Sequence, residues 1–456
     1  MSRARPRHST DSATVKLSEV LSALSFVLDM VEGQPEGHVL RSCFIGMSIA
    51  ERLRLSEEQR SALFYALLLK DAGCSSNASR VTALFGADDF GAKKALKTVD
   101  WSRLQGAVPY VARAVSPDGG LWTRGRRFFT VCLKGPKTAR ELVQIRCERG
   151  AGISRSMGFP EETAGAIRNL DEHWNGAGHP DGLKGEEIPL LARICSLAQT
   201  VEVFYTTFGP VRAEEIARAR SKEWFDPALV DVFLAEVRAG RLWESLGEPD
   251  LARSVSLMEP ADRVLAATPE WLDLTAHAFA RIIDAKSPFT YRHSEGVARA
   301  AAKMTEHMGF PPSVVRDQTR AGLLHDIGKL AISNRILDKP GPLTAGELAK
   351  IKQHPRLTYE ALTRVAPFHS IAEVAANHHE RLDGSGYHQG LTGEDLSLSA
   401  RIIAVADVFD ALSQGRPYRP AMPIERVFAI LKKESGTKLS PECVEVLEDL
   451  VSKDEL

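Results

Sequence analysis

The chain has 456 residues, enough for two domains with separate cores, and its 44% hydrophobic and 26% charged content is that of an ordinary soluble globular protein. With 58 Lys and Arg against 59 Asp and Glu, the formal net charge is −1, so no large field draws the chain to nucleic acid or to a membrane, and neither is expected as a partner. No apolar run reaches the roughly 18 residues of a membrane span. No secretory h-region follows the basic start Met1–His8, the six cysteines form no CxxC pair, and a cytoplasmic protein with reduced thiols is expected. The ending Lys453-Asp454-Glu455-Leu456 spells an ER-retention address, but nothing else suggests entry to that compartment, and it reads as coincidence.

Residues 1–13 are polar and basic and are expected to be disordered. From Val15 onward Leu17, Val20, Leu21, Leu24, Val27, Leu28 and Val31 follow helical spacing, which the segment Gly33 to Gly37 breaks. A helix is expected from His38 through Leu53. The stretch Gln59 to Lys70 is apolar enough for a buried helix. The basic stretch Arg124 to Arg149 includes Arg126, Arg127, Lys134, Lys137, Arg140 and Arg146. It reads as a solvated helix face packed through Phe128, Phe129, Val131 and Leu133 rather than as a surface for an anionic ligand. Residues 210–265 are again helical in spacing, with turn signals at Gly247–Asp250 and Glu259-Pro260 that mark a connection. A helix from about Glu270 to Lys286 follows. Nothing alternates with period two for long, so the expected fold class is all-α.

Two segments of the second half carry chemistry. One closes an apolar run with the adjacent pair His325-Asp326 and goes on to Gly328-Lys329. The other places His378-His379-Glu380 before the turn Asp383-Gly384-Ser385-Gly386-Tyr387. Neutral imidazole and carboxylate suit Fe, Mn, Zn or Ni better than Mg or Ca. Together with His293, His354 and Asp407 these segments supply seven candidate ligands. That is too many for one four-coordinate site and suits two metals sharing a carboxylate.

From Trp271 to Leu450 the ordered set resembles the HD-GYP family of cyclic dinucleotide phosphodiesterases. It comprises His293-Ser294, His325-Asp326 with Gly328-Lys329, His354-Pro355, His378-His379-Glu380 with Asp383–Tyr387, Asp407, Asp410 and Arg416-Pro417-Tyr418-Arg419. The resemblance implies two divalent metal ions, Fe or Mn. His293, His325, Asp326 and Asp407 would hold one, His354, His378 and His379 the other, with Asp326 bridging. Relatives with a third metal carry a glutamate four residues before the first histidine, where Phe289 stands here. Asp326 and Lys329 are the expected catalytic residues. Lys329, Arg416 and Arg419 are expected on phosphate, Tyr387, Gly384 and Gly386 near the bases, and Asp410 either on a base edge or orienting a ligand histidine. Asp383 reads as a turn cap, and His277, His307 and His369 as structural. Two positions depart from the family pattern. His388 replaces the proline of the naming tripeptide, and Gly296 the arginine usual three residues after the first ligand. The expected reaction is hydrolysis of cyclic di-GMP to linear pGpG, with or without further cleavage to GMP. The alternatives are 3′,3′-cyclic GMP-AMP as substrate, or a receptor that binds a cyclic dinucleotide without cleaving it.

An internal repeat fixes the expected organisation. Lys70 follows His38 by 32 residues, as His325 follows His293 (38 to 70, 293 to 325), which lays Lys70-Asp71-Ala72-Gly73 over His325-Asp326-Ile327-Gly328. Gly176–Leu183 likewise lies over Gly384–Leu391. In the first copy Lys70 replaces the histidine of the HD pair, Leu170-Asp171 the His-His pair and Gln199 the last aspartate; only His38 and Asp71 remain. A cationic lysine there could stand in electrostatically for a metal. The expectation is two tandem HD-type helical domains: a tail over 1–13, a degenerate non-catalytic domain over 14–245, a connection over 246–268 and a catalytic domain over 269–456. The first domain is expected to be a regulatory or dimerisation module, which makes a homodimer and signalling proteins expected partners beside the cyclic dinucleotide.

Overall fold

The computed structural model describes residues 15–91, 93, 115, 120–261, 264–290, 292–415 and 420–456, and these are all-α with only isolated bridges between extended residues. The expected tail 1–13 lies outside the described residues. In the first half the helices are α1 (Leu17–Glu32), α2 (His38–Arg52), α3 (Glu57–Leu69), α4 (Ala78–Phe85), α5 (Leu121–Ser156), α6 (Glu161–Arg168), α7 (Leu190–Phe208), α8 (Pro210–Ala219) and α9 (Pro227–Arg238). Short helices α10 (Leu242–Leu246) and α11 (Leu251–Leu257) lead on. The second half holds α12 (Pro269–Lys286), α13 (His293–His307), α14 (Pro312–Leu324), α15 (Asn334–Leu337), α16 (Ala345–Ile351), α17 (His354–Leu362), α18 (His369–Ala376), α19 (Leu398–Ser413), α20 (Ile424–Glu434) and α21 (Pro441–Ser452).

Local chemistry sets these boundaries. Ser56 accepts from the Gln59 amide at 3.2 Å to start α3, and Ser397 accepts from the Ala400 amide at 3.2 Å to start α19. Proline opens α9, α12, α14 and α21, where its missing N–H costs nothing. From Ala62 to Leu69 every residue of α3 is buried, as its unbroken apolar run requires.

The halves are built alike around their central helices. In the first, α2 packs on α3 and α7; in the second, α13 packs on α14 and α19. They also exchange their leading helices. Helix α1 packs on the 3-10 helix Ile327–Ala331 of the second half, and α12 packs on the 3-10 helix Cys74–Asn77 of the first. One continuous apolar core runs through both.

The connection is not a loose linker. Its Glu259 is buried and accepts from Ser18 Oγ at 2.7 Å and Tyr65 Oη at 2.5 Å. Leu17 N donates to Leu265 O at 2.7 Å, and Ala267 N to Val15 O at 2.8 Å. The basic stretch is the helix α5, and Arg126 and Arg140 are exposed on it as expected. Arg146 is the exception: only 17% of its side chain is exposed, and it forms an ion pair with Asp171.

Candidate metal centre

The HD pair sits where α14 ends. His325 caps that helix, and the chain then tightens into the 3-10 helix Ile327–Ala331. That turn lies against the start of α17 because Gly328 has no Cβ; one built there would fall 2.0 Å from His354 O. Thr358 fastens the contact, accepting from Gly328 N at 3.1 Å and donating to His325 O at 2.9 Å. His354 is thereby brought beside His325-Asp326.

Four of the five candidate ligand histidines are oriented through Nδ1; His379 instead turns its Nδ1 toward Asp407. His325 donates to Gly322 O at 2.8 Å, His354 to Ile351 O at 2.7 Å and His378 to Ala375 O at 2.7 Å. All three follow the end of a helix, where carbonyls lack intrahelical partners. A carbonyl can only accept, so Nδ1 carries the proton and Nε2 turns its lone pair inward. His293 begins α13, where the helix presents N–H groups instead. Its Nδ1 donates to the Asp410 carboxylate at 2.7 Å.

The inward atoms form two groups around one carboxylate. Asp326 Oδ1 lies 3.2 Å from His354 Nε2 and 3.6 Å from His378 Nε2. Asp326 Oδ2 lies 3.4 Å from His325 Nε2 and 3.9 Å from His293 Nε2. Asp407 Oδ1 is 3.2 Å from His293 Nε2, and Asp407 Oδ2 is 3.8 Å from His379 Nδ1. The ligand atoms of His354, His378 and His379 lie within 4.8 Å of one another, as do those of His293, His325 and Asp407. His325 Nε2 and Asp326 Oδ1 are buried without a hydrogen-bond partner among the described residues. Leaving such an atom unsatisfied costs ~1–3 kcal/mol, and a divalent cation removes that cost for both. The donor set fits two metal ions.

Electrostatics agree. Burial would raise Asp326, but Lys329 and His325 hold it well below the usual carboxylate range, and His293 does the same for Asp407. Burial, with the neighbouring imidazoles, pushes His378 far down, and burial takes His379 to about 3, so both are neutral and ready to ligate at pH 7. Burial opposes charge on His293 too, yet Asp407 and Asp410 outweigh it and raise this group to about 9.

Comparison with known proteins agrees with this geometry. A profile of the HD domain family matches residues 136–229 and 277–443. The 3′3′-cGAMP-specific phosphodiesterase 3 of Vibrio cholerae is 42% identical over 434 residues, covering 95% of this chain and 94% of that protein. The chain is an HD domain protein of the HD-GYP type. It is a phosphodiesterase of that metal-dependent class. The crystal structure of the Vibrio cholerae cyclic GMP-AMP specific phosphodiesterase V-cGAP3 superposes with a TM-score of 0.64 at 38% identity, over 96% of this chain and 98% of the other. The cyclic di-GMP phosphodiesterase response regulator RpfG of Xanthomonas campestris is 42% identical over 175 residues, 38% of this chain and 46% of RpfG.

The geometry brings all seven expected ligands of this HD-GYP protein together and revises several companions. Lys329 reaches Asp326 Oδ2 at 2.5 Å, but through the 3-10 turn rather than through a continued α-helix. Of the two roles expected of Asp410, the structure shows the contact to a histidine: it is 3% exposed and accepts from His293 Nδ1 at 2.7 Å. Gly384 supplies a positive φ of 74° for the turn. Gly386 serves the loop itself, since a Cβ there would lie 2.4 Å from Glu380 Cα. Glu380 is no ligand. It is buried and accepts from the amides of Gln389 at 2.7 Å, Gly390 at 3.2 Å and Leu391 at 3.0 Å, clamping the loop. The clamp sets Tyr387 with its ring 4.8 Å from that of His379, and the Tyr387–His388 peptide is cis. Lys352, which the sequence reading passed over, places Nζ 5.0 Å from the Tyr387 ring centroid. Arg416 and Arg419 lie outside the described residues. Among the described residues no helix is long and apolar enough to cross a membrane.

Proposed function

We propose that residues 269–456 hydrolyse 3′,3′-cyclic GMP-AMP, with His293, His325, Asp326 and Asp407 holding one divalent ion and His354, His378 and His379 the other. Fe or Mn is the metal that this imidazole-rich donor set favours. The reading rests on one observation above the rest: two clusters of ligand atoms face opposite oxygens of Asp326. When bound, the metal pair supplies Lewis acidity for the phosphate and lowers the pKa of the attacking water. The chain does the rest. Asp326 keeps its charge between the clusters, and Lys329, 22% exposed, stands at the edge of the site within reach of a phosphate oxygen. Tyr387 and Lys352 form a mouth suited to an anionic ligand with a planar base.

The mixed dinucleotide is favoured because the similarity to the cGAMP-specific relative spans both halves. Cyclic di-GMP remains the second reading, supported by the similarity to RpfG. We also propose that residues 14–245 are a degenerate, non-catalytic copy serving regulation or dimerisation in a cytoplasmic enzyme. In its support, Glu172 accepts from the amides of Asp181, Gly182 and Leu183 just as Glu380 clamps its own loop, and a Cβ on Gly73 would meet Arg146 O at 2.0 Å, as one on Gly328 would meet His354 O.

Protein purified under low oxygen, analysed for bound metal and assayed on both dinucleotides side by side, tests the proposal. Two ions per chain and a higher kcat/KM for 3′,3′-cyclic GMP-AMP are expected. A higher value for cyclic di-GMP would overturn the substrate, and tight binding without turnover under every metal would overturn the enzyme reading in favour of a receptor.

A further inference from the structure

Lys286, the last residue of α12, is 1% exposed. Burial pushes its amine down to about 7, with Asp89 the strongest opposing influence. Its Nζ donates to Leu330 O at 2.8 Å and stands 4.5 Å from the centre of the Phe90 ring. Leu330 belongs to the 3-10 turn that follows His325-Asp326 and is the neighbour of Lys329. That turn is fastened twice: Thr358 holds Gly328 near its start, and Lys286 holds Leu330 near its finish. A buried ammonium keeps its charge only beside an anion, and here the anion comes from the other half. Asp89, which follows α4 and is fully buried, accepts from Ser333 Oγ and from Asn334 N, both at 2.9 Å. Its Oδ2 has Lys286 Nζ at 3.8 Å and no hydrogen-bond partner among the described residues. Asn334 joins the two ends by donating from Nδ2 to Lys286 O at 2.6 Å. The same segment also holds the turn of the first half. Lys93 Nζ donates to Val31 O at 2.9 Å and to Cys74 O at 3.1 Å. Cys74 follows Lys70 by four residues, as Lys329 follows His325 (70 to 74, 325 to 329).

We propose that Lys286 is a positioning residue for the turn that carries Lys329, gripping it by Leu330 O, and that Asp89 of the first half supplies the carboxylate that keeps Lys286 in place. Turnover in the second half then depends on a side chain of the first, a task for which that half needs no metal. The inference rests on the reading of Lys329 as the residue that meets substrate phosphate, and its experiment tells the two apart. Bound metal, and kcat and KM on 3′,3′-cyclic GMP-AMP and cyclic di-GMP, are measured for the wild type, K286M, D89N, K329M, D89N/K286M and K286M/K329M. Amide hydrogen exchange is followed in the same proteins at Lys329 and Ile332, whose N–H groups donate within the turn. R364A is the control, since Arg364 joins the halves elsewhere, on Glu36 and on the face of Phe26.

K286M is expected to lower kcat on the order of 10–100-fold, as a small displacement of a group at the reacting centre does, with metal content as in the wild type. D89N should lower kcat less, and D89N/K286M no further than K286M, because both changes break one strut. K286M/K329M should be no slower than K329M, a non-additivity that general destabilisation would not produce. R364A should keep wild-type kcat. Wild-type kcat in K286M and D89N, effects of K286M and K329M that multiply, or an equal loss in R364A would overturn the proposal. If the wild type cleaves neither dinucleotide, or K329M is as fast as the wild type, the reading of the site falls by itself and exchange decides. Faster exchange at Lys329 and Ile332 in K286M and D89N would then uphold the strut, and unchanged exchange would overturn it. If K286M does not fold, the isosteric D89N carries both readouts.

Discussion

In the first half Lys70 Nζ lies 2.9 Å from His38 Nε2 and forms an ion pair with Asp71, while Arg146 pairs with Asp171. In the second half the matching positions are His325-Asp326, His354 and His379, and the space among them is bounded by lone pairs and carboxylate oxygens, two of them without a hydrogen-bond partner. Both arrangements gather buried acids that need cations. One half supplies the cations from its own side chains, and the other leaves room for them to come from solution. In the first half Asp71 and Asp171 are ion-paired to side chains of the same chain. The same fold thus carries an ion-paired cluster in one half and a set of candidate metal ligands in the other.

The sharpest break of this comparison is at the two aspartates. Asp326→Ala removes the carboxylate whose two oxygens lie 3.2 Å from His354 Nε2 and 3.4 Å from His325 Nε2, and kcat is expected to fall on the order of 10³-fold or more, with metal content falling too. Asp71→Ala in the first half is expected to lose stability but keep kcat and metal content in the folded fraction. Equal effects on turnover would erase the distinction between the halves. Next comes Lys70→Ala. It removes the cation that ion-pairs with buried Asp71 and contacts His38 Nε2, so unfolding stability in denaturant should drop by about 3–5 kcal/mol. A loss below about 1 kcal/mol would mean that Lys70 does not stand in for a metal.

The candidate ligand cluster was legible because adjacency and order encode it: an HD pair, an HH pair and three single residues in sequence suffice for chemistry that depends on residue type. What depends on approach was not legible. Gly296 looks like a lost arginine until Asp410, 114 residues away in the chain (296 to 410), is seen lying on its Cα. Lys329 reaches the site because the helix tightens after His325, a change no periodicity announces. Arg146 sits in a basic stretch that reads as solvated, and its place in the first-half cluster follows from Gly73 letting α5 come close. The connection carries turn residues and reads as a linker. Its burial comes from Glu259 meeting Ser18 and Tyr65, partners far apart in sequence.

Metal removal gives a smaller but more local contrast. Chelation should raise amide hydrogen exchange around His325–Ala331, Asn377–Glu380 and the start of α13, where the ligand histidines lose a common partner. Around His38, Lys70-Asp71 and α7 exchange should stay unchanged, since Lys70, Arg41 and Arg146 remain in place. Loosening of both halves together would show that the shared core, rather than the local charges, governs their stability.

The smallest expected effect is a proton count, and it separates the two ions within the second half. In the metal-free protein His293 is raised to about 9 by Asp407 and Asp410, so at pH 7.5 it holds protons on both nitrogens. Ligation needs the Nε2 lone pair while Nδ1–H stays on Asp410, so the first ion must displace a proton. His378 is pushed far down and His379 to about 3, so both are already neutral at pH 7.5 and the second ion displaces none from them. The sign follows. Affinity for the first ion should rise with pH up to about 9 and then level off, and affinity for the second should be flat from pH 6.5 upward. Calorimetric titration at pH 7.5 in buffers of different ionisation enthalpy should give a buffer-dependent heat for the first ion only. A buffer-independent heat for the first ion would mean that His293 is not charged beside its two carboxylates, and the Asp410 bond would then orient a neutral ring.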